Sequence, residues 1–361
     1  MPNRRSLLKT GGAVIAGALV NIGTTGVASA ASPRCSDIDP LALVDPELRE
    51  AAAEIKATYA KFPPLSLQTL PQTRTIAVSG GPAPLDSVPF TEQKISGLRG
   101  NPDVGIYVVN AQLGASRPGI IYMHGGGFIL GNAKSSVREL QELSAVLDCC
   151  IVSVDYRLAP ETRYSGSIED NYAGLLWMHA HAKEIGVDPV KIAVMGESAG
   201  GGHAALLAIT ARDRGEVAVL FQMLVYPMLD DRTGSTRHMP KYIGAYVWDE
   251  AANHFGWRSF LGREPGGARV PVGGVPARVA NLCGLPPAFI GVGSVDLFAN
   301  EDIEYAGRLL HAGVPTELLV VPGAFHGFDH NPTATVSKRF NRAKLNALRR
   351  AFGISMPESS G

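Results

Sequence analysis

Short apolar runs alternate along this chain with longer stretches in which apolar residues recur every third or fourth position. Seven of the short runs read as strands: residues 105–110, 119–124, 150–156, 191–196, 217–226, 288–295 and 316–322. Helical spacing appears between and after them at 138–147, 168–181, 202–212, 301–312, with Gly313 closing it, and 338–352. Strands that alternate with helices predict a mostly parallel α/β sheet with helices on its faces. In such sheets chemistry gathers at the carboxyl ends of the strands.

Two segments break the alternation. Asp45-Pro46 looks like an N-cap with proline at the first helical position, and Leu48, Ala52, Ile55 and Tyr59 follow at helical spacing, so an amphipathic helix precedes the sheet. Residues 230–286 are long, rich in Gly and Pro, and carry Tyr242, Tyr246, Trp248, Phe255, Trp257 and Phe260. A structureless loop of that length is uncommon in a compact domain, so the segment is expected to be a helical insertion. Together the two segments, about residues 36–65 and 230–275, are expected to form a cap over the active end of the sheet. A packing appendage without substrate contact is the competing expectation. No repeat or charged linker divides residues 31–361, which read as one domain.

Residues 1–30 stand apart. Arg4-Arg5-Ser6-Leu7-Leu8-Lys9 leads into an uncharged apolar run from Gly11, and Ala28-Ser29-Ala30 offers the small residues that a signal peptidase requires. The order resembles the twin-arginine export signal of bacteria, which predicts cleavage after Ala30 and a periplasmic or extracellular protein. An uncleaved anchor is the alternative, but the run falls short of the ~20 apolar residues that span a bilayer, so no stable span is expected once the signal is removed.

Composition narrows the function classes. With 33 basic residues against 33 acidic ones and no block of like charge, the chain lacks the electrostatic footprint of a nucleic-acid binder. At 361 residues, 45 % apolar and 18 % charged, it can bury a large core without staples. Cys35, Cys149, Cys150 and Cys283 contain no Cys-x-x-Cys pair for zinc or thiol redox chemistry, and adjacent Cys149 and Cys150 read as small core residues. His179 and His181 are two apart on a helix, hence on different faces, which argues against a metal pair. No cofactor or metal is expected, the partner is a small molecule, and association into a homodimer is left open.

Chemistry enters where strand 191–196 runs into Gly196-Glu197-Ser198-Ala199-Gly200-Gly201 and then a helix, the order of a nucleophile elbow. The motif alone is weak, since chance supplies about 0.3 matches to Gly-x-Ser-x-Gly in a chain of this composition. Its context is stronger. Strand 119–124 ends in His124-Gly125-Gly126-Gly127-Phe128, a run expected by chance only about 0.01 times. Glycines let backbone N–H groups turn toward one point, as a tetrahedral oxyanion needs, and the N–H of Ala199 would supply the remaining donor. His326, between Phe325 and Gly327 after the last strand, is the best-placed general base, with His330 as its near rival. Asp296, at the carboxyl end of strand 288–295, is the expected acid; its competing role is a cap on the next helix.

These motifs, together with Asp155-Tyr156-Arg157-Leu158-Ala159-Pro160-Glu161, Asp296-Leu297 and Phe325-His326-Gly327-Phe328, resemble the bacterial hormone-sensitive-lipase group of α/β-hydrolase esterases over nearly all of the mature chain. The resemblance implies a mostly parallel eight-stranded sheet with a helical cap. It implies Ser198 as nucleophile, Asp296 and His326 as its partners, and the N–H groups of Gly126, Gly127 and Ala199 as the oxyanion hole. It also implies a serine carboxylesterase acting through an acyl-enzyme. Two positions depart from the family's pattern: Arg163, Tyr164 and Ser165 stand where prolines around an aromatic are usual, and Asn300-Glu301 replaces an acidic pair. The same triad could serve a lactonase, an amidase or a carbonate hydrolase. Relatives that only bind a ligand have lost the histidine, and His326 is present.

Overall fold

The structure, a computed structural model, describes residues 38–78 and 82–355. The expected export signal and its cleavage site lie outside the described residues. Eight strands form one sheet: β1 (Phe90–Ile95), β2 (Val104–Val109), β3 (Arg117–Met123), β4 (Cys150–Asp155), β5 (Val187–Glu197), β6 (Phe221–Val225), β7 (Ala288–Gly293) and β8 (Thr316–Val321). Their order is β1-β2-β4-β3-β5-β6-β7-β8. β2 pairs antiparallel with both neighbours, and every pairing from β4 to β8 is parallel. β3 and β7 are buried at every position, as strands covered on both faces must be.

The seven strands expected from apolar runs are all present. β1 was not among them because four of its six residues are exposed, so its sequence, Phe-Thr-Glu-Gln-Lys-Ile, carries no apolar alternation. It is an edge strand, fixed by its ladder to β2 rather than by its own pattern.

Ten α-helices are described: α1 (Pro40–Leu43), α2 (Arg49–Tyr59), α3 (Leu70–Val78), α4 (Val137–Leu147), α5 (Tyr164–Ala180), α6 (Ala182–Ile185), α7 (Ala199–Arg214), α8 (Glu250–Leu261), α9 (Ala299–His311) and α10 (Thr335–Phe352). One core cluster joins the sheet to α5, α7 and α9, and a second joins it to α4, α10 and residues Leu48 and Ala52, giving the three layers that the alternation predicts. Cys149 and Cys150 are unpaired and fully buried in these cores. α7 is buried around nearly its whole circumference, which is why its sequence is mostly Gly, Ala and Leu and shows no polar stripe.

A third cluster lies over the ends of the strands. It gathers Leu70, Phe128, Ile129, Ala199, Met228, Trp248, Trp257, Phe260 and Phe298 from α3, α7, α8 and the loops between strands and helices. Residues 230–286 contribute to it from α8 and from Trp248 and Val275 outside it; apart from that helix and a 3-10 turn at Pro276–Arg278, the segment runs as turns. The segment before the sheet also differs in detail from expectation. Asp45 Oδ1 caps a 3-10 turn by accepting the Glu47 N–H, the α-helix starts only at Arg49, and α3 is an additional helix whose apolar spacing is too irregular to read.

Candidate active site

β5 and α7 meet at Ser198 with no loop between them. Ser198 has φ 56° and ψ −123°, a conformation that few residues other than glycine adopt. The surrounding backbone holds it there: Ser198 N–H donates to Val225 O at 2.9 Å, and Ser198 O accepts from Gly202 N at 3.0 Å and Met228 N at 2.9 Å. Glycine is required on both sides, because a Cβ on Gly196 would stand 2.2 Å from Gly200 O and one on Gly200 would stand 2.1 Å from Met123 O. The elbow is thus a knot of backbone contacts that projects Oγ beyond the strand ends.

His326 Nε2 lies 2.9 Å from Ser198 Oγ, and His326 Nδ1 lies 2.8 Å from Asp296 Oδ2. With the proton on Nδ1, the imidazole donates to Asp296 and leaves Nε2 to accept the serine hydroxyl. Ser198 is 8 % exposed, His326 6 % and Asp296 0 %, so the row runs from solvent's edge into the interior. Asp296 Oδ1 accepts the Phe298 N–H at 2.9 Å, which fixes the carboxylate at the entrance of α9 while its other oxygen serves the histidine. The helix itself begins at Ala299 with Phe298 as its N-cap and no side-chain cap, so of the two roles expected of Asp296 the structure shows the contact to the histidine. The edge-on rings of Tyr226 and Phe298, 4.7 and 5.2 Å from the imidazole, hold it from either side. His330, the rival base, instead places Nε2 3.8 Å from Glu197 Oε2.

The glycine run after β3 folds back over the elbow. Gly126, Gly127 and Phe128 all have positive φ, 118°, 59° and 68°. Gly126 O accepts from Ile129 N and Leu130 N, whereas the N–H groups of Gly126 and Gly127 donate no hydrogen bond among the described residues. Ala199 is the first residue of α7, where helix geometry leaves the N–H without an intrahelical acceptor. These are the three donors expected from the sequence.

What holds this loop was not legible beforehand. The indole of Trp248 lies so close to Gly127 that a Cβ there would meet Cη2 at 2.1 Å, and a Cβ on Gly256 would lie 2.7 Å from Gly127 O. α8 thus approaches the loop through a glycine, while Phe128 stacks on Phe260 at 4.0 Å and meets Trp257 edge-on at 5.0 Å. From α3, Arg74 donates to Ile129 O at 2.8 Å and Ala159 O at 2.7 Å and forks onto Glu161, joining the glycine loop to the loop after β4. Tyr156 stacks on His124 at 4.3 Å and its hydroxyl donates to His124 O at 2.8 Å. His203, in the first turns of α7, is buried against Tyr156 and Phe128 with both ring nitrogens unpartnered. Burial, then the neighbouring His124, holds its imidazolium down to about 3, so it stays neutral. Glu301, in the pair that departs from the family pattern, accepts from Leu229 N at 2.6 Å, Asp230 N at 3.1 Å and the Thr233 hydroxyl, steadying the loop after β6.

The two tryptophans singled out in the insertion separate here. Trp257 is fully buried behind Phe128, whereas Trp248 forms a wall between Gly127 and a cavity of about 290 Å³ bordered by Ile55, Lys56, Tyr59 and residues 244–249. Among the described residues no group of three His, Cys, Asp or Glu side chains could hold a metal ion, and no helix is long and apolar enough to cross a membrane.

A family model described as the alpha/beta hydrolase fold matches residues 120–330, the stretch from the glycine loop to the histidine loop. The chain belongs to the α/β-hydrolase family. Within that family it sits in the bacterial hormone-sensitive-lipase-like branch. It is 37 % identical over 215 residues to Esterase LipI of Mycobacterium tuberculosis (strain ATCC 25618 / H37Rv), covering 59 % of this chain and 66 % of that one. It is 36 % identical over 220 residues to Carboxylesterase NlhH of the same organism, covering 58 % and 66 %. The matched stretch is thus just under two thirds of these relatives' length. Among solved structures, a Bacterial Heroin Esterase superposes with a TM-score of 0.76 at 36 % identity, covering 87 % of this hydrolase and 99 % of that chain. Esterase LipW from Mycobacterium marinum follows at 0.68 and 32 %, covering 88 % and 99 %.

Proposed function

We propose that this α/β-hydrolase is a serine carboxylesterase that cleaves short- to medium-chain carboxylic esters through an acyl-enzyme on Ser198. The observation that carries the reading is the unbroken hydrogen-bond row Ser198–His326–Asp296 beside three N–H groups without acceptors. His326 Nε2 takes the Ser198 proton as Oγ attacks the ester carbonyl, and Asp296 holds the imidazole in the tautomer that can accept it. The carbonyl oxygen, now anionic, receives the N–H groups of Gly126, Gly127 and Ala199. Collapse expels the alcohol with the proton from His326; water, deprotonated by the same nitrogen, then releases the acid. Relatives named esterase and carboxylesterase support the ester as the bond cleaved.

The test is a series of p-nitrophenyl esters, acetyl through decanoyl, set beside a lactone and the p-nitroanilide of the best acid. Rates are expected to climb by roughly fourfold per carbon and then fall, as each buried methylene contributes about 0.8 kcal/mol until the pocket is full. Faster turnover of the lactone or the anilide would replace the reading with a lactonase or an amidase. A fluorophosphonate is expected to label Ser198 once per chain.

Export is part of the same proposal and rests on Arg4-Arg5 and Ala28-Ser29-Ala30. Replacing both arginines with lysine is expected to stop it, and mature protein is expected to begin at Ala31. Full-length chain in the cytoplasm of the native host would overturn it.

A further inference from the structure

Behind the elbow one ammonium group faces two carboxylates that belong to different halves of the site. Lys344, buried on α10, places Nζ 2.5 Å from Asp329 Oδ2 and 3.7 Å from Glu197 Oε1. Glu197 immediately precedes Ser198, and Asp329 follows His326 by three residues. Both carboxylates are buried, and Glu197 Oε1 has no hydrogen-bond partner, so an ionic contact is what compensates it. The second oxygen of Asp329 accepts the Tyr226 hydroxyl at 2.9 Å, and the Tyr226 ring stands edge-on to His326. A continuous set of contacts therefore runs from the residue before the nucleophile, through Lys344, Asp329 and Tyr226, to the imidazole.

On the reading of Ser198 and His326 given above, we propose that Lys344 is a positioning residue: its ammonium, held between Glu197 and Asp329, fixes the nucleophile's elbow against the base's loop and so maintains the Ser198–His326 hydrogen bond. Other charged and titratable groups face the cluster: Glu139 from α4, His330 from the histidine loop and Tyr122 from β3. Burial pulls the lysine's proton affinity down, but Asp329, Glu197 and Glu139 outweigh it and hold the ammonium charged well above the ordinary lysine range. Burial raises Glu197 to about 7, so its charge near neutrality depends on the lysine beside it. Without that ammonium Glu197 takes up a proton and nothing ties it to Asp329, so the elbow is released from the histidine loop and Oγ separates from Nε2. The negative charge left behind Tyr226 also favours the imidazolium, so the acid limb of reactivity moves to higher pH.

The experiment follows the rate at which a fluorophosphonate labels Ser198 in the full chain, across pH, together with kcat and KM for an acetyl ester. Lys344→Met is expected to slow labelling by about tenfold or more and to move the acid limb upward, with kcat falling and KM nearly unchanged. Lys344→Arg, which keeps the charge, is expected to recover labelling to within about threefold of the parent. A folded Lys344→Met protein with the parent's labelling rate and acid limb, whatever its melting temperature, would overturn the proposal. Should Lys344→Met not fold, Glu197→Gln cuts the elbow's end of the bridge with little change of shape: slower labelling supports the bridge, and an unchanged rate refutes it. Failure of the parent chain itself to label at Ser198 would instead refute the assignment of the nucleophile.

Discussion

At the β5–α7 junction backbone meets backbone: Gly196 and Gly200 leave no room for a side-chain atom, and Ser198 is held by hydrogen bonds from three main-chain groups. In the cover made by residues 230–286, side chains do the holding. Asp230 pairs with Arg232 and Arg237, Asp231 with Arg278 and the Gly266 N–H, and Asn253 ties Trp248 to Thr233 O. Between these ties Val272 is 98 % exposed. The contrast is in what holds each region: main chain at the elbow, side chains in the insertion. A junction of main-chain contacts tolerates almost no substitution, and the buried carboxylates of the insertion depend on their arginine partners.

The largest expected effect belongs to the nucleophile. Ser198→Ala should lower ester hydrolysis by about 10⁴-fold or more while the melting temperature stays near the parent's, because the backbone knot does not use Oγ. Substantial turnover by folded mutant protein would remove Ser198 from the mechanism. Gly200→Ala sharpens the comparison on the backbone side: its Cβ would lie 2.1 Å from Met123 O, so a loss of about 3 kcal/mol or more in urea unfolding is expected, with activity falling too. A mutant as stable and active as the parent would mean that the junction has slack.

On the cover side, Trp248→Ala should shift or flatten the chain-length optimum but leave acetyl-ester hydrolysis within about tenfold, since the indole forms a wall and its N–H is spent on Asn253. Folding is checked by circular dichroism, and an unchanged profile would place specificity elsewhere. At His203 the expected effect is on the acid sensitivity of the fold and not on reactivity at neutral pH. Its folded-state pKa, about 3, lies below the unfolded value near 6.5, so its neutral burial stabilises the fold above about pH 6.5, and that contribution is lost as pH falls toward 3. Unfolding free energies of the parent from urea titrations should drop through this window by up to about 1.4 kcal/mol per pH unit on account of His203, and those of His203→Leu should drop less. Identical acid profiles would assign the sensitivity to other groups.

The same division explains what the sequence disclosed. Ser198, the glycines after His124, Asp296 and His326 were legible because strand, turn and helix signals are local and each residue sits at the end of a readable strand. β1 was not, because its residues face solvent and only β2 gives them a partner. α3 and its Arg74 escaped for a related reason, since an arginine that holds Ile129 O and Ala159 O looks in sequence like any surface charge. Glu197 and Lys344 lie 147 positions apart and meet only once α10 has packed. The helical insertion expected in residues 230–286 is present as α8, while the rest of the segment runs as turns that follow no repeating period and are tied by ion pairs such as Asp231–Arg278.

α8 and the turn before it touch the glycine loop through Gly256 and Trp248, both of which press on Gly127. For anyone recombining homologous genes, the two segments are therefore a single unit of inheritance. A crossover that brings in a foreign helix and keeps the native loop would set an unmatched side chain against Gly127, and the offspring would lose reactivity toward every ester at once instead of acquiring the donor's preference. Breakpoints that transfer 124–130 and 244–261 together should yield the larger share of working chimaeras.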